Sequence, residues 1–130
     1  MTASEHAVEL ARVAAGAAAD KLAKDVVAID VSDHLVITDV FLLAAAPNDR
    51  QVRAIVEGIE EALHARGVRV TRREGEREGR WVLLDFTDLV VHVQHAQERE
   101  YYALERLWRH CPTLDLGDAV VPPADAVAPG

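Results

Sequence analysis

Apolar positions shift along the chain from steps of three and four residues to steps of two and back, and each shift marks a new element. Ala7, Leu10, Ala11, Ala14, Ala17, Ala18 and Leu22 fall on one helical face, and Thr2-x-x-Glu5 has capping-box spacing at its start. That face is mostly Ala, so it is shallow and suits close approach to a sheet or a second helix. Residues 26–31 (VVAIDV) are a β-branched run and predict a first strand. After the turn Ser32-Asp33-His34, residues 35–38 and then 40–46 predict a second extended segment, bent at Asp39. Residues 41–46 are apolar throughout, as in a strand covered on both faces. Pro47 ends it. Asn48 then caps a helix with Gln51 as its partner, and Val52, Ile55, Val56, Ile59 and Leu63 form one apolar stripe closed by Gly67. Residues 68–71 predict a short strand, and residues 72–79 a Gly-containing connection.

The densest stretch is residues 80–105. In residues 81–86 the side chains alternate, with Trp81, Leu83 and Asp85 on one face and Val82, Leu84 and Phe86 on the other. Thr87-Asp88 turns the chain into a further strand at 89–94, and a helix from about 96 to 110 stops before Pro112. This order predicts one α/β domain over residues 1–111, a mixed sheet of roughly five strands flanked by helices. Residues 112–130, rich in Pro, Ala, Asp and Gly without periodicity, read as a mostly disordered tail.

Composition narrows the function. A chain of 130 residues, half of them hydrophobic, fits one domain that buries about two-thirds of its unfolded surface. No apolar run approaches the roughly 18–20 residues of a membrane span, and Glu5, Glu9, Arg12 and Asp20 break any signal-peptide core. The lone Cys111 cannot form an internal disulfide, which fits a cytoplasmic protein. With 22 acidic against 14 basic residues the net charge is −8, which repels a nucleic-acid backbone and suits a basic protein partner. Arg66, Arg69, Arg72, Arg73, Arg77 and Arg80 do cluster, but Glu74, Glu76 and Glu78 are threaded through them as in a solvated mixed-charge loop.

Candidate chemistry is sparse. His92 and His95 stand three apart on a strand and point to opposite faces, so they cannot share a metal unless the strand ends between them, and a structural or surface role is expected. Asp30, Asp33, Asp39, Asp85 and Asp88 are potential phosphoryl-transfer carboxylates, yet no Gly-rich phosphate cradle accompanies them. Cys111 lacks the His and carboxylate companions of a catalytic thiol. Tyr101 and Tyr102 cannot both face inward from one helix, so one is left for the surface or a partner. Asp85 and Asp88 flank one turn, Trp81 shares the face of Asp85, and Glu98 and Tyr101 follow the next strand. Together they predict an acidic-aromatic binding patch.

Six runs carry a family resemblance. They are Thr38-Asp39-Val40-Phe41-Leu42-Leu43, Arg50-Gln51-Val52, Glu74-Gly75, Trp81-Val82-Leu83-Leu84-Asp85-Phe86, Asp88-Leu89-Val90-Val91-His92-Val93, and residues 99–108 (REYYALERLW). In order and spacing, from about Glu5 to His110, the chain resembles the ribosomal silencing factor (Iojap-related) family. The resemblance implies a nucleotidyltransferase-like fold without enzymatic activity or cofactor. It implies binding to the large ribosomal subunit through large-subunit ribosomal protein fourteen, a steric block to joining of the small subunit, and lowered translation when nutrients are short. The expected partner-binding residues are Trp81, Asp85, Phe86, Asp88, Glu98 and Tyr101, with no metal site. A homodimer is expected when the protein is free, from the shallow Ala face and the surplus Tyr. The alternative is a nucleotide-using transferase on the same fold, although the Gly-Ser and Asp-x-Asp pattern of such enzymes is missing. Two stretches depart from the family. Residues 44–49 (AAAPND) replace a Ser-Gly-x-Ser turn, and Asp85-Phe86-Thr87-Asp88 replaces Asp-Tyr-Gly-Asp.

Overall fold

In a computed structural model that describes residues 3–117, nine elements follow one another. They are α1 (Glu5–Asp20), β1 (Lys24–Asp30), β2 (Val40–Ala46), α2 (Asp49–His64), β3 (Arg72–Glu74), β4 (Trp81–Asp85), β5 (Leu89–His95), α3 (Ala96–Tyr102) and α4 (Leu104–Leu107). The strands form one sheet in the order β1-β2-β5-β4-β3. β2 and β5 run parallel at its centre and the other neighbours are antiparallel, so the sheet is mixed, as predicted.

The strand alternation builds two layers. Val40, Leu42, Ala44 and Ala46 of β2, Val82 and Leu84 of β4, and Leu89, Val91 and Val93 of β5 enter the main core with α1 and α2. Most of the Ala face of α1 is covered there: Ala7, Ala11, Ala14, Ala15 and Ala18 have no accessible surface, Ala17 is half-buried and Leu22, past the helix end, is exposed. Close helix approach is real, because a Cβ on Gly58 of α2 would sit 3.1 Å from the Lys21 side chain. The Gln51 amide donates to the carbonyls of Lys21 and Leu22 (3.1 and 3.2 Å), so it closes the end of α1 and does not complete a capping box. Asn48 caps α2 as expected, its Oδ1 accepting from the Gln51 N–H at 2.9 Å. On the opposite face Ile29, Val31, Leu43 and Cys111 form a smaller cluster, with Phe41, Leu104 and Trp108 against it.

Four expected boundaries move. Ser4 caps α1, its Oγ accepting from the Ala7 N–H, while Thr2 lies outside the described residues. Residues 35–38 are a loop with Val36 and Ile37 exposed, because β1 turns directly at His34, whose N–H reaches the Val31 carbonyl. The edge strand is Arg72–Glu74, set by its pairing with Asp85, Leu84 and Leu83, and residues 68–71 only lead into it. The last helix breaks at Ala103, which adopts a left-handed backbone (φ 45°) between α3 and α4.

The chain beyond Pro112 does not leave the domain at once. The Leu114 N–H donates to Ala28, Thr113 bridges Ile29, and Leu116 is buried. The remainder of the expected tail, residues 118–130, lies outside the described residues.

Candidate functional site

β4 sorts the expected site residues by face. Val82, Leu84 and Phe86 point into the main core, and Trp81, Leu83 and Asp85 stay half-buried on the other side. Phe86 is only 4% exposed, so it is a core residue and offers no surface to a partner. The antiparallel register sets Trp81 opposite Gln94, Leu83 opposite His92 and Asp85 opposite Val90.

An aromatic row crosses the sheet from there. The Trp81 indole N–H donates to His92 Nδ1 at 3.1 Å. Phe41 on β2 meets the His92 ring edge-on at 5.1 Å, and Trp108 meets Phe41 edge-on at 5.5 Å. Such tilted contacts suit the ring quadrupoles and hold flat groups in fixed orientation. His92 is thus the middle of the row. It is 7% exposed. Burial and, secondarily, the nearby Arg99 guanidinium depress its pKa to about 4, so at neutral pH it is an uncharged acceptor for Trp81. His95, on the other face at the end of β5, caps α3 by accepting from the Gln97 N–H. The sequence signal for the row, ring side chains at diagonally offset positions of β2, β4 and β5, appears only once the strand register is known.

The carboxylates divide between local structure and surface. Asp85 Oδ1 accepts from the Thr87 N–H at 2.8 Å, holding a turn in which Thr87 takes a left-handed backbone (φ 77°). Asp88 is half-buried beside that turn, and its carbonyl accepts from the N–H groups of Asp39 and Val40. Glu98, in the first turn of α3, pairs with Arg80 at 3.0 Å. Tyr101 lies in α3, and its side chain is outside the described part of the structure. Trp81, Asp85 and Asp88 therefore share one region, Glu98 enters it as half of an ion pair, and Phe86 leaves it.

Two other carboxylates hold the start of α1. Asp30 accepts from the Ala3 N–H and Asp39 from the Ser4 N–H, each at 2.9 Å, where a helix N-terminus favours negative charge. Burial alone would raise the Asp30 carboxyl, but hydrogen bonds from the Ser32 hydroxyl and from the Ala3 and Ser32 N–H groups leave it below its ordinary value. Three of the five aspartates considered for metal-assisted chemistry thus accept from backbone donors. Four of the six clustered arginines are likewise engaged: Arg66 pairs with Glu9, Arg72 with Glu74, Arg73 with Glu60 and Arg80 with Glu98. Among the described residues no helix is long and apolar enough to cross a membrane.

Comparison with known proteins agrees with this architecture. The family model described as "Ribosomal silencing factor during starvation" matches residues 4–128. Ribosomal silencing factor RsfS of Bacillus subtilis is 43% identical over 105 residues, 81% of this chain and 89% of that protein. A mouse protein named "Mitochondrial assembly of ribosomal large subunit protein 1" is 29% identical over 89 residues, 66% of this chain and 39% of that protein. Among solved structures, a Chromobacterium violaceum protein superposes with a TM-score of 0.75 at 34% identity, covering 78% of this chain and 84% of the other. On the match along nearly its whole length and the shared mixed sheet, the chain belongs to the ribosomal silencing factor family.

Proposed function

We propose that this protein lowers translation under nutrient limitation by docking on the large ribosomal subunit and keeping the small subunit from joining. The face that docks is the half-exposed side of β4, carrying Trp81, Leu83 and Asp85 over buried β5 residues, and its partner is large-subunit ribosomal protein fourteen. The carrying observation is the fixed row Trp81–His92–Phe41, flanked by Asp85 and Asp88, on a sheet face that α1 and α2 leave uncovered. A flat aromatic anchor with acidic neighbours suits a basic protein surface, and a net charge of −8 steers the molecule away from bare rRNA toward such a surface. Occlusion needs no reaction, and the family name and the large-subunit name of the mouse relative support this regulatory reading.

Purified large and small subunits mixed with increasing protein should yield fewer joined ribosomes on a sucrose gradient, with the protein co-migrating with large subunits and no nucleotide added. Co-migration with small subunits, or undiminished joining at saturating protein, would overturn the reading.

A further inference from the structure

We propose that His34, His110 and Cys111 bind one zinc ion. Their donor atoms, one from each side chain, all lie within 4.8 Å of one another. Two imidazole nitrogens and a thiolate form a borderline-soft set suited to this ion, and a water in the fourth position completes a tetrahedron.

The fold brings these side chains together from distant parts of the sequence. His34 sits in the turn after β1, fixed by its N–H and that of Leu35 to the Val31 carbonyl at 3.0 and 2.9 Å. His110 and Cys111 sit in the turn after α4, where the Cys111 N–H donates to Trp108 at 2.9 Å and the Pro112 carbonyl accepts from Asp30 at 2.8 Å. Both backbones are therefore positioned before any ion arrives, which reduces the ordering a ligand must impose.

The surroundings suit a cation with one soft ligand. Cys111 rises from the small apolar cluster of Ile29, Val31 and Leu43, while both imidazoles are exposed on its solvent side. The two imidazole rings stand edge-on with centroids 4.6 Å apart, and Trp108 walls one side, nearly parallel to His110 at 6.3 Å. Asp30 and Asp33 place negative charge close to Cys111. The same two charges attract a cation, and binding releases the thiol proton. An ion here staples the turn after β1 to the segment leaving α4, directly beside the exposed Val36 and Ile37.

The chain has one cysteine, so a thiolate signal reports on this site alone. Untagged full-length protein is titrated with Co²⁺, followed by absorption, and then with Zn²⁺, followed by calorimetry. The expected result is a thiolate-to-cobalt charge-transfer band with the intense visible bands of a tetrahedral ion, removed by one equivalent of zinc. His34→Ala and His110→Ala should each weaken zinc at least about tenfold, because even outer-shell losses cost that much. His6→Ala and His64→Ala, on the helical layer, should leave it unchanged. Circular dichroism confirms that each variant is folded, and if Cys111→Ser fails to fold, the two histidine variants decide. Absence of the charge-transfer band, or wild-type zinc affinity in folded His34→Ala and His110→Ala, would overturn the proposal.

Discussion

His92 shows how one buried ionisable side chain sets a pH limit on the domain. Its pKa falls from an unfolded value near 6.5 to about 4 because burial penalises the imidazolium and Arg99 repels it. Above pH 6.5 the ring is neutral in both states and its contribution to stability is fully present. As pH drops from 6.5 toward 4 the unfolded chain takes up a proton that the native site refuses, and about 3 kcal/mol is lost in total. Asp30 acts in a lower window, since a depressed carboxylate begins to lose its contribution only below about 3.8. His92→Asn places an amide oxygen where Nδ1 accepted from Trp81 but cannot titrate. Urea unfolding at pH 7 and pH 4.5 should show a large drop for the wild type and a drop smaller by about 2–3 kcal/mol for the variant. Equal drops would mean that the imidazole is not held neutral.

At the scale of elements, the short hairpin of β3 and β4 depends on Gly75. Its φ of +83° lies in the left-handed region, and an added Cβ would fall on the carbonyl oxygen of Trp81. Gly75→Ala must therefore push β3 off β4 and with it Trp81 off His92. The expected cost is about 2 kcal/mol or more, read as a lowered melting temperature. An unchanged melting temperature would show that the turn re-forms without strain. Elements anchored by periodicity, such as α2, β2, β4 and β5, were legible in the sequence because burial repeats at fixed steps along them. The edge strand was not. Arg72, Arg73 and Glu74 are all exposed and carry no apolar signal, so pairing alone makes them a strand. The break at Ala103 was equally hidden, because Ala is a strong helix former and nothing local announces a left-handed residue. For the site, alternation placed Trp81 and Asp85 on one face and Phe86 on the other. Phe86, expected among the partner-binding residues, therefore lies on the core face, and the contact of Trp81 with His92 needed the register of β4 on β5.

At the scale of the whole molecule, the same surface must serve both solubility and docking. The Ala face of α1 is largely covered within the monomer, which removes one of the two grounds on which a homodimer is expected. The half-exposed side of β4 is the proposed docking face. On this face the anchor and the charges have separable kinetic signatures. Truncating a central aromatic commonly costs about 2 kcal/mol or more, roughly thirtyfold in affinity, and appears mainly in the dissociation rate. Neutralising a rim carboxylate lowers the association rate and flattens its salt dependence. Asp85→Asn keeps an acceptor for the Thr87 N–H, so it separates charge from turn geometry. Asp88→Asn does the same beside it. Surface plasmon resonance on immobilised ribosomal protein fourteen at two salt concentrations should show Trp81→Ala dissociating about thirtyfold faster. The two asparagine variants should associate more slowly and with less salt dependence. Trp81 also bonds His92, so melting temperatures must accompany the binding data, and Trp81→Phe serves where the alanine variant unfolds. Folded Trp81 and aspartate variants that bind with wild-type rates would place the docking surface elsewhere on the molecule.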